Sequence, residues 1–152
     1  MEFLINFWPP VKEYWPDMLD IAKEHFKVNN VTHYRYNGSD WTAFIMDFYR
    51  FCWEKEEHDI RPNVPKMIPK AQYMKQFSEE IYLVNFEVED PIFDQIKNGN
   101  PYGVKEIKQL KEEIRAKYKT KAPRFSIVHS FDTPARNKQI IDFLEHECMR
   151  VE

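Results

Sequence analysis

Residues 81–88 constrain the fold of this chain more than any other segment, because their side chains alternate as in a half-buried strand. The apolar residues that share one face are Tyr82, Val84, Phe86 and Val88. Polar Asn85 and Glu87 occupy the other face. Strands of parallel sheets are buried on both faces and read as continuous apolar runs instead. The alternation therefore predicts an antiparallel sheet that has one covered face and one wet face.

The remaining elements alternate between strands and helices. Strands are predicted at 3–7, 31–36 and 125–131, and helices at 11–26, 39–52, 104–118 and 134–148. Pro16 marks either a kink in the first helix or its true start, and Ser39 is the expected cap of the second. This order favours the α+β ferredoxin-like βαββαβ fold, with helices on one side of the sheet and one inserted helix. A three-layer α/β architecture is the alternative.

Length, charge and glycine content limit the possible functions. At 152 residues and 43% hydrophobic content, residues 1–152 are expected to form a single domain. The chain has neither an apolar run that could span a bilayer nor a secretion signal, so we expect a cytoplasmic protein with no membrane partner. A net charge of -3 gives no general reason to bind nucleic acid. The three glycines exclude the Walker A and dinucleotide-binding loops.

Residues 56–79 differ from the rest of the chain, because prolines and basic residues are interleaved there with little periodicity. The basic members are Arg61, Lys66, Lys70 and Lys75, and the prolines are Pro62, Pro65 and Pro69. Loops of this length in compact domains often act as lids or binding elements. We interpret the segment as a basic, proline-containing loop. It is either a solvated connector with room for one short helix or a lid.

Residues 125–134 hold the clearest candidate for chemistry. The segment reads as a strand, and Thr133 followed by Pro134 is typical of a helix cap and a first-turn proline. The strand would deliver His129 to the start of a helix, whose free N–H groups and positive dipole end favour phosphate. In a strand, however, His129 lies on the same side as Phe131 and other apolar neighbours. A buried structural histidine is therefore the alternative.

Residues 127–133, Ile-Val-His-Ser-Phe-Asp-Thr, followed by a helix that carries Ile141 and Leu144, resemble the signature of the nucleoside diphosphate kinases. In that family a strand ends in His-Gly-Ser-Asp-Ser before a helix, and the order of elements is similar. The resemblance implies that His129 is a nucleophile that carries phosphate between nucleotides, with Mg²⁺ bridging the phosphates. It also implies a homo-oligomer.

The sequence departs from the family pattern at several positions. The family's lysine after the first strand is replaced by Trp8, and the glutamate that orients the family's histidine falls at about Ile140. Ser130 and Phe131 replace the Gly-Ser that follows the histidine. Loss of an orienting carboxylate and of a phosphate-binding cation is expected to remove most efficient phosphotransfer.

These patterns give a set of candidate site residues. His129 and Asp132 are the candidate catalytic residues, although Asp132 could instead cap the last helix. The candidate substrate-binding residues are Trp8, Arg61, Lys66, Arg124, Ser130, Thr133 and Arg136. We expect a nucleotide or a phosphorylated small molecule as partner, and no metal site made by the protein itself.

Three functions fit the sequence. The first is a nucleotide-binding phosphotransferase-like protein that is related to nucleoside diphosphate kinase and acts through His129. The second is a non-catalytic module that binds a nucleotide or another protein. The third is a transferase that uses a nucleotide-linked substrate and forms no phosphohistidine.

Overall fold

The computed structural model describes residues 1–50, 64–97, 100–131 and 134–152. The strands are β1 (Glu2–Phe7), β2 (Lys27–Tyr36), β3 (Glu80–Glu87), β4 (Phe93–Lys97), β5 (Asn100–Val104), β6 (Val128–Ser130) and β7 (Cys148–Arg150). The helices are α1 (Trp15–His25), α2 (Trp41–Arg50), α3 (Val64–Lys75), α4 (Lys105–Tyr118) and α5 (Asn137–Glu147). Within these described ranges, no helix is long and apolar enough to cross a membrane.

The main sheet has five strands in the order β6-β1-β3-β2-β7, and every neighbouring pair is antiparallel. Strand β3 lies between β1 and β2, so α1 connects two strands that run in the same direction. Helix α4 likewise connects β3 to β6. This order is that of the ferredoxin-like βαββαβ fold, with β7 added at the β2 edge. Strands β4 and β5 form a separate hairpin before α4.

Helices cover both faces of the sheet. Phe3 and Ile5 of β1 pack in one core with α1 and α4, whereas Leu4 and Trp8 pack in a second core with α2, α3 and α5. The prediction of helices on one side holds for α1 and α4, the two helices of the βαββαβ unit. It is wrong for the molecule, because the inserted and C-terminal helices bury the opposite face. The result is three layers built on an antiparallel sheet.

The face of β3 that was expected to be wet is buried. Leu83 is 4% exposed and Asn85 is 8% exposed. Leu83 packs in the second core, which α2, α3 and α5 supply. Alternation shows only that the two faces differ in polarity, and a buried face can hold a polar residue that is hydrogen-bonded. The Asn85 carboxamide oxygen accepts a hydrogen bond from Asn29 Nδ2 at 3.3 Å.

Three element boundaries differ from expectation or decide between alternatives. Helix α1 begins at Trp15 with Pro16 in its first turn, so the proline starts the helix and does not kink it. The cap of α2 is Asp40 instead of Ser39, because Asp40 Oδ1 accepts a hydrogen bond from the backbone N–H of Ala43 at 3.0 Å. The strand predicted at 125–131 shortens to β6, since Arg124–Ser126 form a 3-10 turn after Pro123.

Much of the segment predicted as a loop at 56–79 is helical. Helix α3 buries Met67, Ala71 and Met74, whose spacing places them on one helix face. Its Pro65 occupies the first turn, where a missing N–H costs little. In the sequence, prolines and lysines interrupt the spacing of these three buried residues, so the pattern did not predict the helix. Residues 56–63 lie outside the described residues.

Candidate functional site

His129 lies on β6, an outer strand of the main sheet. It is paired with Asn6 of β1, so the two side chains project from the same face of the sheet. Arg115 of α4 donates a hydrogen bond from Nη2 to the carbonyl oxygen of Val128 at 3.1 Å. A cation of α4 is thereby bonded to the residue that precedes the histidine.

Four aromatic rings surround the imidazole. The centroid distances from His129 are 5.0 Å to Tyr49, 5.1 Å to Phe131, 6.0 Å to Phe48 and 6.3 Å to Trp8. We call His129 and these four rings the histidine pocket. The expectation that His129 faces apolar neighbours is confirmed, yet the residue retains partial exposure. Trp8, a substrate-binding candidate from the sequence, is fully buried in the second core and has no exposed surface for a ligand.

Positive charge is concentrated at the histidine pocket. Burial, which is the largest cause, and the charges of Lys111, Arg115 and Lys70 together lower the pKa of His129 to about 3. Lys70 belongs to α3, and the other two cations belong to α4. The imidazole is therefore neutral at physiological pH, the form in which one ring nitrogen carries a proton and the other a lone pair. A histidine nucleophile requires this protonation state.

Buried polar atoms without partners lie beside the imidazole. Asn6 is fully buried, and within the described residues neither Oδ1 nor Nδ2 of its carboxamide has a hydrogen-bond partner. The same holds for the indole Nε1 of Trp8 and for Nε of Arg115. Buried polar groups are nearly always satisfied in folded proteins, so such a group calls for an explanation.

The start of α5 is separated from His129. Asn137, the first residue of that helix, donates a hydrogen bond from Nδ2 to the carbonyl oxygen of Glu2 at 2.9 Å. His129 pairs with Asn6, four residues further along β1. At about 3.3 Å per strand residue, the helix start lies roughly 13 Å from the imidazole strand position. The predicted corner of histidine and helix N-terminus is therefore not formed. Arg136, which precedes Asn137, lies toward the Glu2 end of β1, whereas His129 lies beside Asn6.

Two other sequence candidates also lie away from the pocket. Ser130 is buried and pairs with Ile5, so it projects toward the face opposite His129. Arg124 precedes β6, where its Nη1 donates a hydrogen bond to Glu112 Oε2 at 2.9 Å. This contact, together with Arg115, lowers the pKa of Glu112 to about 2.

Several sequence candidates cannot be placed. Arg61, Asp132 and Thr133 lie outside the described residues. Lys66 is in the first turn of α3, and its side chain is not described. Their roles remain predictions.

Sequence reasoning missed Asn6, Tyr49, Lys111 and Arg115. The two cations are four residues apart and follow directly after the buried residues Leu110 and Ile114, so one helix row carries both. That spacing was a detectable signal. Asn6 was also visible as a polar residue within an apolar strand, but only the pairing of β1 with β6 shows what it faces.

A second polar cluster lies on the other face of the sheet, around Glu80. The carboxylate is 4% exposed and accepts hydrogen bonds from Lys12 Nζ at 2.7 Å and His33 Nε2 at 2.8 Å. Arg35 Nη2 is 3.9 Å away. We call these four residues the Glu80 cluster. Burial raises the pKa of Glu80, but hydrogen bonds, of which that from Lys12 has the largest effect, together with the charge of Lys12 outweigh it, and the net pKa is lowered.

No protein-family model matches this sequence, and no curated protein matches it. The solved structure of the nucleoside diphosphate kinase of Aquifex aeolicus is similar in fold, with a TM-score of 0.53 over 97% of this chain and 98% of that chain. The two sequences are 17% identical. At this identity the likeness shows the fold alone. The predicted resemblance is thus confirmed for the architecture, while the histidine motif stays a prediction.

Proposed function

We propose that this protein binds a nucleotide in the histidine pocket and transfers a phosphoryl group through His129. The observation that carries the proposal is a partly exposed histidine on an outer strand, next to a residue that Arg115 of α4 hydrogen-bonds. The charges of Lys70, Lys111 and Arg115 also lower the pKa of this histidine. Such a concentration of positive charge favours phosphate oxygens. The similarity of fold to a nucleoside diphosphate kinase supports the same interpretation.

Different residues of the histidine pocket bind different parts of the nucleotide. Lys70, Lys111 and Arg115 attract the phosphate chain and stabilise the charge that spreads over the transferred phosphoryl oxygens. Tyr49 is 8% exposed, and its ring lies 5.0 Å from the imidazole, so it forms part of the wall of the pocket. Trp8 and Phe48 are fully buried and exclude water from the inner side of the histidine pocket.

The transfer takes place in two steps. A ring nitrogen of neutral His129 attacks the terminal phosphorus, an N–P bond forms, and the P–O bond to the nucleoside diphosphate breaks with its electron pair on the departing oxygen. An oxygen of a second diphosphate then attacks the phosphohistidine, and the N–P electron pair returns to the ring. His129 needs no general base because it is neutral.

Magnesium fits this proposal only as part of the nucleotide. In the part of the chain that the structure describes, no group of three or more His, Cys, Asp or Glu side chains could hold a metal ion. Mg²⁺ commonly binds through substrate phosphates with few protein ligands. Bound there, it would neutralise phosphate charge, and the three cations would hold the complex.

Incubation with γ-³²P-labelled ATP or GTP tests the proposal. We expect acid-labile, base-stable label on the wild-type protein and none on His129→Gln. The matched control is His33→Gln, which alters a histidine of the Glu80 cluster at the same end of the sheet and should label like the wild type. Label that survives in His129→Gln, or its absence from the wild type, would show that His129 carries no phosphate.

A second candidate function is nucleotide binding without transfer. Two positions favour it, because Trp8 stands where the family has a lysine and Ile140 is fully buried where the family has a glutamate. Isothermal titration with a non-hydrolysable triphosphate distinguishes the two. Binding without label supports this second function, and neither binding nor label excludes both.

A further inference from the structure

A cleft of about 320 Å³ opens between α5 and the outer part of the main sheet, and we call it the outer cleft. Strand β7 pairs with β2 only from Tyr34 to Tyr36, so in the described part of the chain the rest of β2 has no outer neighbour that closes this side. Leu83 and Ile141 supply apolar walls, and the polar lining residues are Asn30, Thr32, Tyr34, Asn85 and Arg150. Small-molecule sites of this size combine apolar walls with a few polar groups in the same way.

The outer cleft is separate from the histidine pocket, although both lie on the same face of the sheet. Strand pairing places Thr32, Leu83, Asn6 and His129 in one row across β2, β3, β1 and β6. At about 4.8 Å between neighbouring strands, Thr32 is roughly 14 Å from His129. The side chains of Leu83 and Asn6 lie between them and are buried. A single ring bound in the outer cleft therefore does not reach the imidazole.

The orientation of the Asn85 carboxamide is set by Asn29, which lies at a β-bulge of β2. Nδ2 of Asn29 is 3.2 Å from Glu2 Oε1 and 3.5 Å from Glu87 Oε1, and carboxylates only accept hydrogen bonds, so this nitrogen is a donor. It also donates to Asn85 Oδ1 at 3.3 Å. Asn85 is 8% exposed and lines the outer cleft, so its occupied oxygen leaves the two N–H donors of Nδ2 for the cleft.

Arg150, the charged residue that lines the outer cleft, has its counter-charge beside it. Its Nε donates hydrogen bonds to Glu145 Oε1 at 3.0 Å and to Oε2 at 3.1 Å. The hydroxyl of Tyr34 donates to the same carboxylate and accepts a hydrogen bond from Thr32. Because the guanidinium charge is compensated in this network, the lining favours an uncharged ligand over an anion.

We propose that the outer cleft binds an uncharged ring that carries hydroxyl groups, either a monosaccharide or the ribose of a nucleoside. The N–H donors of Asn85 bind a hydroxyl oxygen, and the oxygen of Thr32 accepts from a hydroxyl hydrogen. Asn30 is paired directly with Asn85 and offers a donor and an acceptor at the rim. A hydroxyl both donates and accepts, so one ring can satisfy all three residues. Leu83 and Ile141 pack against its C–H groups. This site does not depend on phosphotransfer.

The test is a ¹H–¹⁵N NMR titration that follows the side-chain amide of Asn85, assigned by its loss in Asn85→Leu. We expect saturable shifts of this signal with D-glucose, D-ribose or adenosine. The dissociation constant should be about 1 mM, as is usual for an uncharged ligand of so few atoms. Shifts with glucose alone identify a free sugar as the ligand, and shifts with ribose and adenosine identify a nucleoside. Absence of a saturable shift with all three probes would overturn the proposal.

Glucose 6-phosphate tests whether the ligand is uncharged. Because Arg150 is already paired with Glu145, the added phosphate should change the affinity by less than about threefold relative to glucose. Binding that is more than about tenfold tighter would show that the cleft recognises an anion, and the proposal would be wrong.

Variants of the lining locate the ligand through its own NMR signals. Asn85→Leu should weaken binding at least about tenfold, because a ligand hydroxyl loses its buried donor. Asn137→Leu is the matched control, since Asn137 is bonded to the backbone of Glu2 away from the cleft, and it should bind like the wild type. If Asn85→Leu does not fold, Ile141→Trp replaces it, because the larger side chain fills the cleft from a partly exposed position. Unchanged affinity in the folded variant would overturn the inference.

Discussion

The Glu80 cluster and the histidine pocket lie at the same end of the sheet, on opposite faces, and they differ in charge balance. Glu80 is buried with Lys12 and His33 bonded to its two oxygens. His129 instead has three cations acting on a neutral ring. In the first arrangement a buried carboxylate is bonded to its partners, whereas in the second the cations lie near an uncharged ring. Of the three cations near His129, Arg115 is also paired with Glu112 at 3.3 Å. We expect the buried carboxylate network to be structural and the cations beside the uncharged ring to attract an anion.

The same contrast extends to the uncharged polar atoms. Within the described residues, Asn6 Oδ1, Asn6 Nδ2 and Trp8 Nε1 lack partners near His129. At Glu80, the nearby indole of Trp15 donates a hydrogen bond from Nε1 to the carbonyl oxygen of Trp8 at 3.0 Å, while its ring packs edge-on against His33. Within the described residues, buried polar atoms that lack partners are thus more numerous near His129, although Ser78 Oγ, two residues from Glu80, also lacks one.

The largest expected effect concerns cations on the two faces. Replacing Lys70 and Lys111 together by Gln removes two charge-assisted contacts to phosphate, and we expect about a 100-fold weaker nucleotide affinity by isothermal titration. Lys12→Gln, which removes a cation from the Glu80 cluster, should stay within about twofold of the wild type. Equal losses in both variants would mean that charge balance does not distinguish the clusters.

The next effect is on stability and concerns Glu80. Glu80→Gln removes the charge from hydrogen bonds with Lys12 and His33, and should lower the free energy of unfolding by about 2 kcal/mol at pH 7 in urea. Because the folded pKa of Glu80 is lowered, this contribution exists above the unfolded pKa and is lost as the pH falls through the folded value.

An exposed ion pair provides the control for Glu80. Glu113 contacts His25 at 2.6 Å, with half of the glutamate side chain exposed. Glu113→Gln should change the unfolding free energy by less than about 0.5 kcal/mol. An equally small change in the unfolding free energy for Glu80→Gln would mean that burial does not strengthen the Glu80 cluster.

A third test uses the pH dependence of stability. The pKa of His129 is lowered to about 3 in the fold, whereas an unfolded histidine titrates near 6.5. As the pH falls below about 6.5, the unfolded chain takes up a proton that the folded chain refuses. Stability should therefore decrease by up to about 1.4 kcal/mol per pH unit. His129→Gln should flatten the profile between about pH 6.5 and 4.5, above the range in which carboxylates titrate. An identical slope in both proteins would show that the imidazole is solvated.

The smallest effect is expected at Arg124. This cation came from the sequence as a substrate-binding candidate, but it pairs with Glu112, and both side chains are more than half exposed. Arg124→Gln should change nucleotide affinity by less than about twofold and stability by at most about 1 kcal/mol. A loss as large as that of the two lysines would extend the binding site to the turn before β6.

Sequence patterns predicted much of the fold, because each depends on local chemistry. The alternation at 81–88 predicted the antiparallel strand β3, and Pro16 with Asp17 fits the start of α1. The apolar spacing from Trp41 to Phe48 predicted the buried face of α2. The hidden helix α3 was missed because prolines and lysines interrupt its stripe.

The candidate site was predictable only in part. His129 stood out because a histidine in an apolar strand before a turn is unusual, and its apolar surroundings followed from strand parity. Lys111 and Arg115 come from α4, and Asn6 from the first strand, so their proximity depends on pairings between distant segments. The prediction that the N-terminus of α5 lies next to His129 was wrong, because the chain passes along β1 after β6 and α5 begins beside Glu2.

By itself the sequence determined the main strands and helices of the βαββαβ unit and that His129 lies on an apolar strand face, since hydrophobic periodicity and turn chemistry act over a few residues. Only the tertiary structure decided that helices cover both faces, that Glu80 is bonded to Lys12 and His33, and that Asn6 and three cations lie near His129. The physical reason is that burial and charge balance depend on which distant side chains come together, and strand pairing sets that.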